Sequence, residues 1–186
     1  MKPPGQPSVK PSGNPPGKIP GTATQPENIA IAMGKLSIDQ DMVFLDMGCG
    51  SGAVSLAASR YTDKIYGIDS RPHAVEASKA LVPAGNFFLG DASEILPGMP
   101  KIDRCFIGGT RGIERFFPIL MEKAKPGCIV VADLARIGAT SVVAGLMKER
   151  GIFEEIIQVQ ISRGYDLAGD IGLRPMNPIF MVVGRC

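Results

Sequence analysis

A glycine-rich segment is the part of the chain whose residue types and spacing are best suited to chemistry. It reads Asp46-Met47-Gly48-Cys49-Gly50-Ser51-Gly52 and closes a short apolar run. Glycines permit backbone angles that other residues avoid, and they let a ligand approach the main chain closely. Since ligands of open α/β sheets bind at the carboxyl ends of the strands, the segment predicts a binding loop at such an end.

Two acidic residues follow at the ends of the next two predicted strands. Asp69 comes 17 residues after Gly52, and its carboxylate could accept hydrogen bonds from both hydroxyls of a ribose. Asp91 lies in Gly90-Asp91-Ala92, where it could meet an adenine. Taken singly, each acid could be an ordinary cap or turn residue. Together with the glycines, they indicate a site for a nucleotide-like ligand.

Asp46 separates two classes of ligand. The spacing from Gly48 to Ala53 also fits the G-x-G-x-x-A pattern of dinucleotide-binding proteins. A carboxylate ~5 Å from a pyrophosphate would repel it by roughly 3 kcal/mol at an effective dielectric constant of ~20. The sulfonium and ammonium groups of S-adenosylmethionine would be attracted instead. The sequence therefore favours S-adenosylmethionine as cofactor, with a nicotinamide-dependent oxidoreductase or a non-catalytic nucleotide-binding module as alternatives.

Alternating strands and helices must position these residues. Apolar runs predict five strands in βα units and a closing pair of strands joined by a glycine-rich crossing without a helix. The expected fold is α/β, with a doubly wound, mostly parallel seven-stranded sheet and an antiparallel edge strand. The combined motif resembles the fingerprint of Rossmann-like class I methyltransferases. The predicted strands are 42–47, 64–69, 86–89, 102–107, 128–133, 153–161 and 178–183, and the helices are 26–36, 52–60, 72–81, 113–124 and 139–150.

Composition divides the chain into two parts. Residues 1–20 hold seven of the 16 prolines, three of the lysines and no acid, which predicts a disordered arm before a domain at 21–186. The domain is left with 17 basic and 18 acidic groups, a balance that argues against nucleic acid as partner. The sequence contains no run of about 18 apolar residues, so no membrane span is predicted. Four scattered cysteines and a single histidine, His73, argue against a metal site and suggest reduced thiols in the cytoplasm.

Three further motifs resemble one family of methyltransferases, the CbiT family. They are Phe106-Ile107-Gly108-Gly109-Thr110, the segment from Pro20-Gly21 to Thr24-Gln25-Pro26-Glu27, and Asn177-Pro178 before the last strand. The resemblance covers about residues 19–184. Its members methylate C15 of a corrin precursor and decarboxylate the C12 acetate arm in cobalamin biosynthesis. The chain departs from the family pattern in having Asn28-Ile29 and Thr22-Ala23 where relatives often have Val-Arg and Gly-Pro.

The resemblance implies residue roles, although it assigns none as catalytic. Thr24, Gly48 to Gly52, Asp69 and Ala92 would contact S-adenosylmethionine, with Asp91 beside them. A polycarboxylate tetrapyrrole substrate calls for arginines, since guanidinium groups bind carboxylates bidentately. Arg111 and Arg163 are the first choices, followed by Arg136 and Arg174. The predicted substrate-binding set is Gly108, Gly109, Thr110, Arg111 and Arg163.

The resemblance also implies partners. A homo-oligomer is expected, with a tetramer suggested by relatives, and a separate chain would methylate C5 because this one is too short to carry that domain. The substrate could carry cobalt or lack it. An (N/D)-P-P-(Y/F) element typical of nitrogen methyltransferases is missing after residue 107. A class I methyltransferase acting on a protein or RNA remains the main alternative.

Overall fold

The computed structural model describes residues 24–186, so the predicted arm at 1–20 lies outside the described residues and the domain boundary stays a prediction. A seven-stranded sheet has the order β3-β2-β1-β4-β5-β9-β6. Strands β1 to β5 are parallel, and β9 runs antiparallel between β5 and the edge strand β6. The sheet strands are β1 (Phe44–Met47), β2 (Ile65–Asp69), β3 (Asn86–Leu89), β4 (Ile102–Ile107), β5 (Ala124–Leu134), β6 (Phe153–Val159) and β9 (Ile179–Arg185).

Helices cover both faces of this sheet. Pro26 and Pro72 each occupy the first turn of a helix, where the missing N–H costs nothing. Glycines in the left-handed region, Gly52 and Gly112, start two others. None of the helices in residues 24–186 is long and apolar enough to span a membrane. The helices are α1 (Pro26–Leu36), α2 (Ala53–Ala58), α3 (Pro72–Leu81), α4 (Ala92–Ile95), α5 (Ile113–Lys123) and α6 (Ile137–Glu149).

Alternate residues of the strands face two separate apolar cores. In β5, Ile129 and Val131 pack on the side of α1, α2 and α3, whereas Val130 and Ala132 pack on the side of α5 and α6. Both rows are almost completely buried, as expected for a parallel sheet covered on both faces. The predicted fold class is therefore confirmed, including the antiparallel edge, which consists of β9 and β6.

The glycine-rich crossing differs from the prediction. It forms a separate antiparallel hairpin of two strands, β7 (Ser162–Leu167) and β8 (Asp170–Pro175). Ala168 and Gly169, both with positive φ, make its two-residue turn. The hairpin was missed because its residues are almost all exposed, so that no buried face imposes alternating hydrophobicity.

Candidate active site

A cavity of about 830 Å³ opens where the parallel strands β1 to β5 end. The strand ends form its floor, the start of α1 forms one wall, and the segment before β9 forms another. Parallel strands bring their carboxyl ends to one edge of the sheet, which explains why loops distant in sequence meet here. Predicted site residues that line the cavity are Thr24, Gly48, Asp69, Asp91, Ala92, Gly108, Gly109, Thr110 and Arg111.

The loop after β1 lies against the loop after β4. Gly108 and Gly109 both donate their N–H groups to the carbonyl of Met47, at 2.9 and 3.1 Å. Gly48 has a φ of 77°, and a Cβ atom added there would lie 2.8 Å from the nitrogen of Gly109. Only glycine combines this backbone angle with so close an approach. The two glycine elements recognised in the sequence thus depend on each other's geometry.

Asp69 connects the glycine loop to β2. Its Oδ2 accepts the N–H of Gly50 at 3.0 Å, and Arg71 donates to both carboxylate oxygens, from Nε at 2.9 Å and from Nη2 at 2.9 Å. Burial alone would raise the pKa of Asp69, but the hydrogen bonds from Arg71 and Gly50 outweigh it and lower the pKa. A charged acceptor therefore faces the cavity at the predicted ribose position, and a ribose would share it with Arg71.

Asp91 caps a helix as well as lining the cavity. It is the N-cap of α4, where Oδ1 accepts the N–H of Ser93 at 2.9 Å and its hydroxyl at 2.6 Å. Arg115 pairs with the other oxygen at 2.8 Å. These hydrogen bonds, from Ser93 first, lower the pKa of Asp91. The capping role and the position at the cavity thus coexist in one residue.

Asp46 is buried beside the glycine loop and does not reach the cavity. Its side chain is 1% exposed, accepts the hydroxyl of Ser55 at 2.6 Å, and does not line the cavity. Burial raises its pKa to about 7, against the opposing hydrogen bond from Ser55. Asp46 therefore makes no direct contact with the cavity, and the predicted attraction of a cationic ligand to it stays a prediction; in the structure the residue links β1 to α2.

Several predicted site residues do not line the cavity. Gly52 has a φ of 80°, and an added Cβ would lie 2.9 Å from the Cα of Ser78 in α3. Arg163 is exposed on the hairpin, where its guanidinium contacts Glu27 and Gln25. Arg174 lies over the ring of Tyr165, 4.9 Å from its centroid. The predicted site residues that do not line the cavity are Cys49, Gly50, Ser51, Gly52 and Arg163.

Charge divides the cavity into two halves. Near the ends of β2 and β3 it is lined by two acids, Asp69 and Asp91, and by Arg71. Near the ends of β4 and β5 it is lined by the exposed arginines Arg111 and Arg136 and by one further acid, Asp133. The first half suits a ligand with hydroxyl or cationic groups, and the second suits carboxylates.

That remaining acid, Asp133, and the amide Asn28 were not identified from the sequence. Both line the cavity, and each has a buried oxygen without a hydrogen-bond partner. Asn28 is 1% exposed, in line with Ala32 and Leu36 on the buried side of α1. The available signal was the spacing of Asn28 from Ala32 and Leu36, which places a polar residue on the buried face of the helix.

The described residues offer no group of three or more His, Cys, Asp or Glu side chains that could hold a metal ion. All four cysteines are free thiols. The polar side chains that line the cavity carry carboxylate, amide, hydroxyl and guanidinium groups.

The strand order, the glycine loop after β1 and the acid after β2 are those of the class I methyltransferase fold. A family model for the precorrin methyltransferase domain matches residues 19–184. This chain belongs to that family, as the resemblance predicted.

Relatives agree with this assignment. A probable cobalt-precorrin-6B C(15)-methyltransferase (decarboxylating) from Methanosarcina acetivorans is 34% identical over 90% of this chain and 95% of its own. A protein of the same name from Archaeoglobus fulgidus is 37% identical over 89% and 98%. The crystal structure of a precorrin 8W decarboxylase from Methanobacterium thermoautotrophicum superposes with a TM-score of 0.84, at 23% identity over 88% of this chain and 92% of that chain. That structural likeness supports the fold.

Proposed function

We propose that this protein methylates C15 of a precorrin or cobalt-precorrin with S-adenosylmethionine and decarboxylates the C12 acetate side chain, within cobalamin biosynthesis. The observation that carries the proposal is the family match over nearly the whole described chain, with relatives of that name more than 30% identical. The division of charge in the cavity supports it, because it offers separate halves to a cationic cofactor and an acidic substrate.

The cofactor half fits S-adenosylmethionine. Asp69 presents a charged carboxylate for the ribose hydroxyls, and Gly48 exposes main chain close to the cavity. Thr24 and Ala92 also line the cavity. When bound, S-adenosylmethionine would supply an electrophilic methyl group. The protein's part in methyl transfer is to hold the acceptor carbon in line and to exclude water.

The substrate half fits a polycarboxylate with a broad apolar ring. Arg111 and Arg136 would bind the carboxylate arms, and Leu134 and Ile179 offer apolar wall. An electron-rich ring carbon needs no strong base to accept a methyl group. Loss of CO2 is aided by the conjugated macrocycle, which accepts the electron pair of the broken bond. The residues have therefore to orient the acetate arm and to manage one proton.

Three further assignments belong to this proposal. The resemblance implies a homo-oligomer, with four subunits the suggested number, a cytoplasmic location, and a separate chain that methylates C5. Light scattering of the purified protein tests the first of these. A protein or RNA methyltransferase with the same cofactor is the alternative function, and the near-neutral charge of residues 21–186 speaks against RNA.

The decisive experiment incubates the purified protein with a corrin precursor and S-adenosylmethionine, followed by mass spectrometry. We expect the precursor to gain one methyl group and to lose CO2, with S-adenosylhomocysteine formed in step. Asp69→Ala should slow both changes when S-adenosylmethionine is limiting, whereas Asp63→Asn, an exposed carboxylate away from the cavity, should retain the wild-type rates. An unchanged precursor in the presence of methylated protein or RNA would overturn the proposal.

A further inference from the structure

Two apolar rows end in polar residues at the same place. On β5 the row is Ile129, Val131 and then Asp133, and on α1 it runs back from Leu36 through Ala32 to Asn28. Ile129, Val131, Ala32 and Leu36 belong to one core cluster, so both rows lie in the layer between α1 and the sheet. Asp133 and Asn28 therefore end this layer at the cavity.

Both residues are left with an unsatisfied oxygen. Oδ1 of Asn28 and Oδ1 of Asp133 are buried and have no hydrogen-bond partner, a property that no other side-chain nitrogen or oxygen shares in the described part of the chain. An unpaired buried polar atom costs about 1–3 kcal/mol. At a cavity wall, a bound ligand can supply the missing hydrogen bond and remove this cost. The two atoms thus mark where the substrate half receives a polar partner.

The charge state of Asp133 differs from that of the other acids at the cavity. Burial raises its pKa to about 6, and hydrogen bonding from Thr24 opposes the shift. The pKa values of Asp69 and Asp91 are lowered. On β9, the residue paired with Asp133 is the apolar Met181. The charged residues that line the same cavity are Asp69, Arg71, Asp91, Arg111 and Arg136, and α1 carries Glu27, which is paired with Arg163.

We propose that Asp133 is the acid that delivers a proton to the substrate carbon from which CO2 departs, while Thr24 positions its carboxyl group. The inference rests on the proposed function and assigns a catalytic residue to its second step. The bond from the methylene carbon to the carboxylate carbon breaks, and CO2 leaves. The electron pair of the broken bond stays with the substrate, where the macrocycle delocalises it. It then forms a C–H bond with the proton from Asp133. The Asp133 carboxylate regains a proton from water.

The position of this acid explains how one cavity can serve both steps. A group with a pKa near the working pH is the most effective proton donor and is easily recharged. Asp133 stands at the end of β5, beside the arginine half of the cavity and away from Asp69. A general acid at this location belongs to the substrate half of the cavity.

The test counts methyl gain and CO2 loss separately in single turnovers followed by mass spectrometry. For Asp133→Asn we expect CO2 loss to slow by about 100-fold or more, the usual contribution of general acid catalysis. Methyl gain and binding of S-adenosylhomocysteine should stay within about threefold of wild type, so that a methylated product retaining its carboxyl group accumulates. Asp133→Glu should restore a measurable part of CO2 loss, and Asp63→Asn should match wild type.

The pH profile separates a proton donor from a merely structural residue. In the wild type the rate of CO2 loss should fall as pH rises above about 6, because the protonated fraction of Asp133 declines. Asp133→Asn should lose this dependence. CO2 loss from Asp133→Asn at the wild-type rate, or a wild-type rate independent of pH between 5 and 8, would overturn the inference. The second criterion applies even if the variant does not fold. A wild-type protein that neither methylates nor decarboxylates the precursor would instead refute the proposed function, and the inference with it.

Discussion

The main-chain N–H of Gly50 donates to Oδ2 of Asp69 at 3.0 Å, which ties the glycine loop after β1 to the end of β2. Gly50 itself lies behind the cavity wall, whereas Asp69 lines the cavity. The glycine loop therefore acts partly by holding the acid in place, beyond any contact of its own with a ligand.

Removal of this acid should impair cofactor binding. Asp69→Ala leaves the Gly50 N–H and the Arg71 guanidinium without their shared acceptor, and it removes the proposed ribose contact. We expect the Kd for S-adenosylhomocysteine, measured by isothermal titration calorimetry, to rise by about tenfold or more, since hydrogen bonds to charged groups contribute roughly 1.5–3 kcal/mol. Asp63→Asn should bind like wild type. A Kd for Asp69→Ala within twofold of wild type would refute the assignment.

Glycine is required at position 48 for steric reasons. Gly48→Ala adds a Cβ atom 2.9 Å from the Cα of Gly109 at a residue with a φ of 77°. We expect the free energy of unfolding to fall by about 1–3 kcal/mol. The matched control is Gly145→Ala in the middle of α6, where nothing lies within 4 Å, and it should stabilise the protein by roughly 0.5–1 kcal/mol. Urea unfolding of both variants provides the measurement, and equal effects would contradict the steric explanation.

Stability should depend on pH through Asp46. Burial raises its pKa to about 7, so the folded protein binds more protons than the unfolded chain between about pH 4 and 7. Stability is therefore highest at the acidic end of this range and is lost as pH rises through 7. Asp133 adds a contribution of the same sign.

Chemical denaturation at pH 5 and pH 8 checks this sign. Asp46→Asn has no group to ionise at that position and can still accept the Ser55 hydroxyl, so its free energy of unfolding should decline less from pH 5 to 8. Asp63→Asn should decline as the wild type does. An undiminished decline in Asp46→Asn would assign the pH dependence to other groups.

Cys186 should be the reactive thiol of this protein. The neighbouring Cys128 thiol lowers the pKa of Cys186, and Cys186 is half-buried, whereas Cys49, Cys105 and Cys128 are buried. Burial raises the pKa of Cys49 to about 12 and that of Cys105 well above its usual value. Since thiolate is the reactive form, iodoacetamide at pH 7.5 should modify Cys186 first. Peptide mass spectrometry gives the site, and Cys186→Ser should leave the native protein nearly unlabelled; rapid labelling of Cys49 would contradict the ranking.

The two arginines of the substrate half should affect substrate binding more than turnover. Arg111→Ala and Arg136→Ala each remove a cation from the cavity wall, and we expect each to raise the KM for the corrin precursor by about tenfold. Added salt should raise the KM of the wild type by a larger factor than the KM of either variant, because salt screens the charge that each variant lacks. Arg150→Ala, exposed beyond the end of α6, is the control and should leave KM unchanged. An unaltered KM in both variants would show that other residues bind the carboxylates of the substrate.

The elements with a buried face were predictable from the sequence. Short apolar runs located β1, β2, β3 and β4 to within two residues, and the prolines at 26 and 72 fixed the starts of α1 and α3. Their signals are local, because buried strands need apolar side chains and helix starts tolerate proline. The hairpin of β7 and β8 lacks a buried face and carried no such signal.

The site was predictable only where backbone geometry demands particular residues. Gly48 stands out because its φ of 77° and the close approach of Gly109 admit only glycine there. The orientation of Asp46 depends on Ser55 in α2, a tertiary contact without a sequence pattern. Asp133 was hidden for the same reason, since an acid at the end of a strand is common, and its buried unpaired oxygen appears only once α1 is packed against β5.

The insertion of β9 between β5 and β6 has a consequence for synthesis of the chain. Both neighbours are made before residues 179–185 leave the ribosome, and until then each exposes an unpaired strand edge. The wall of the cavity that precedes β9 is missing over the same period. A nascent chain can therefore assemble the glycine loop and its acid early, but the cavity closes only when β9 joins the sheet.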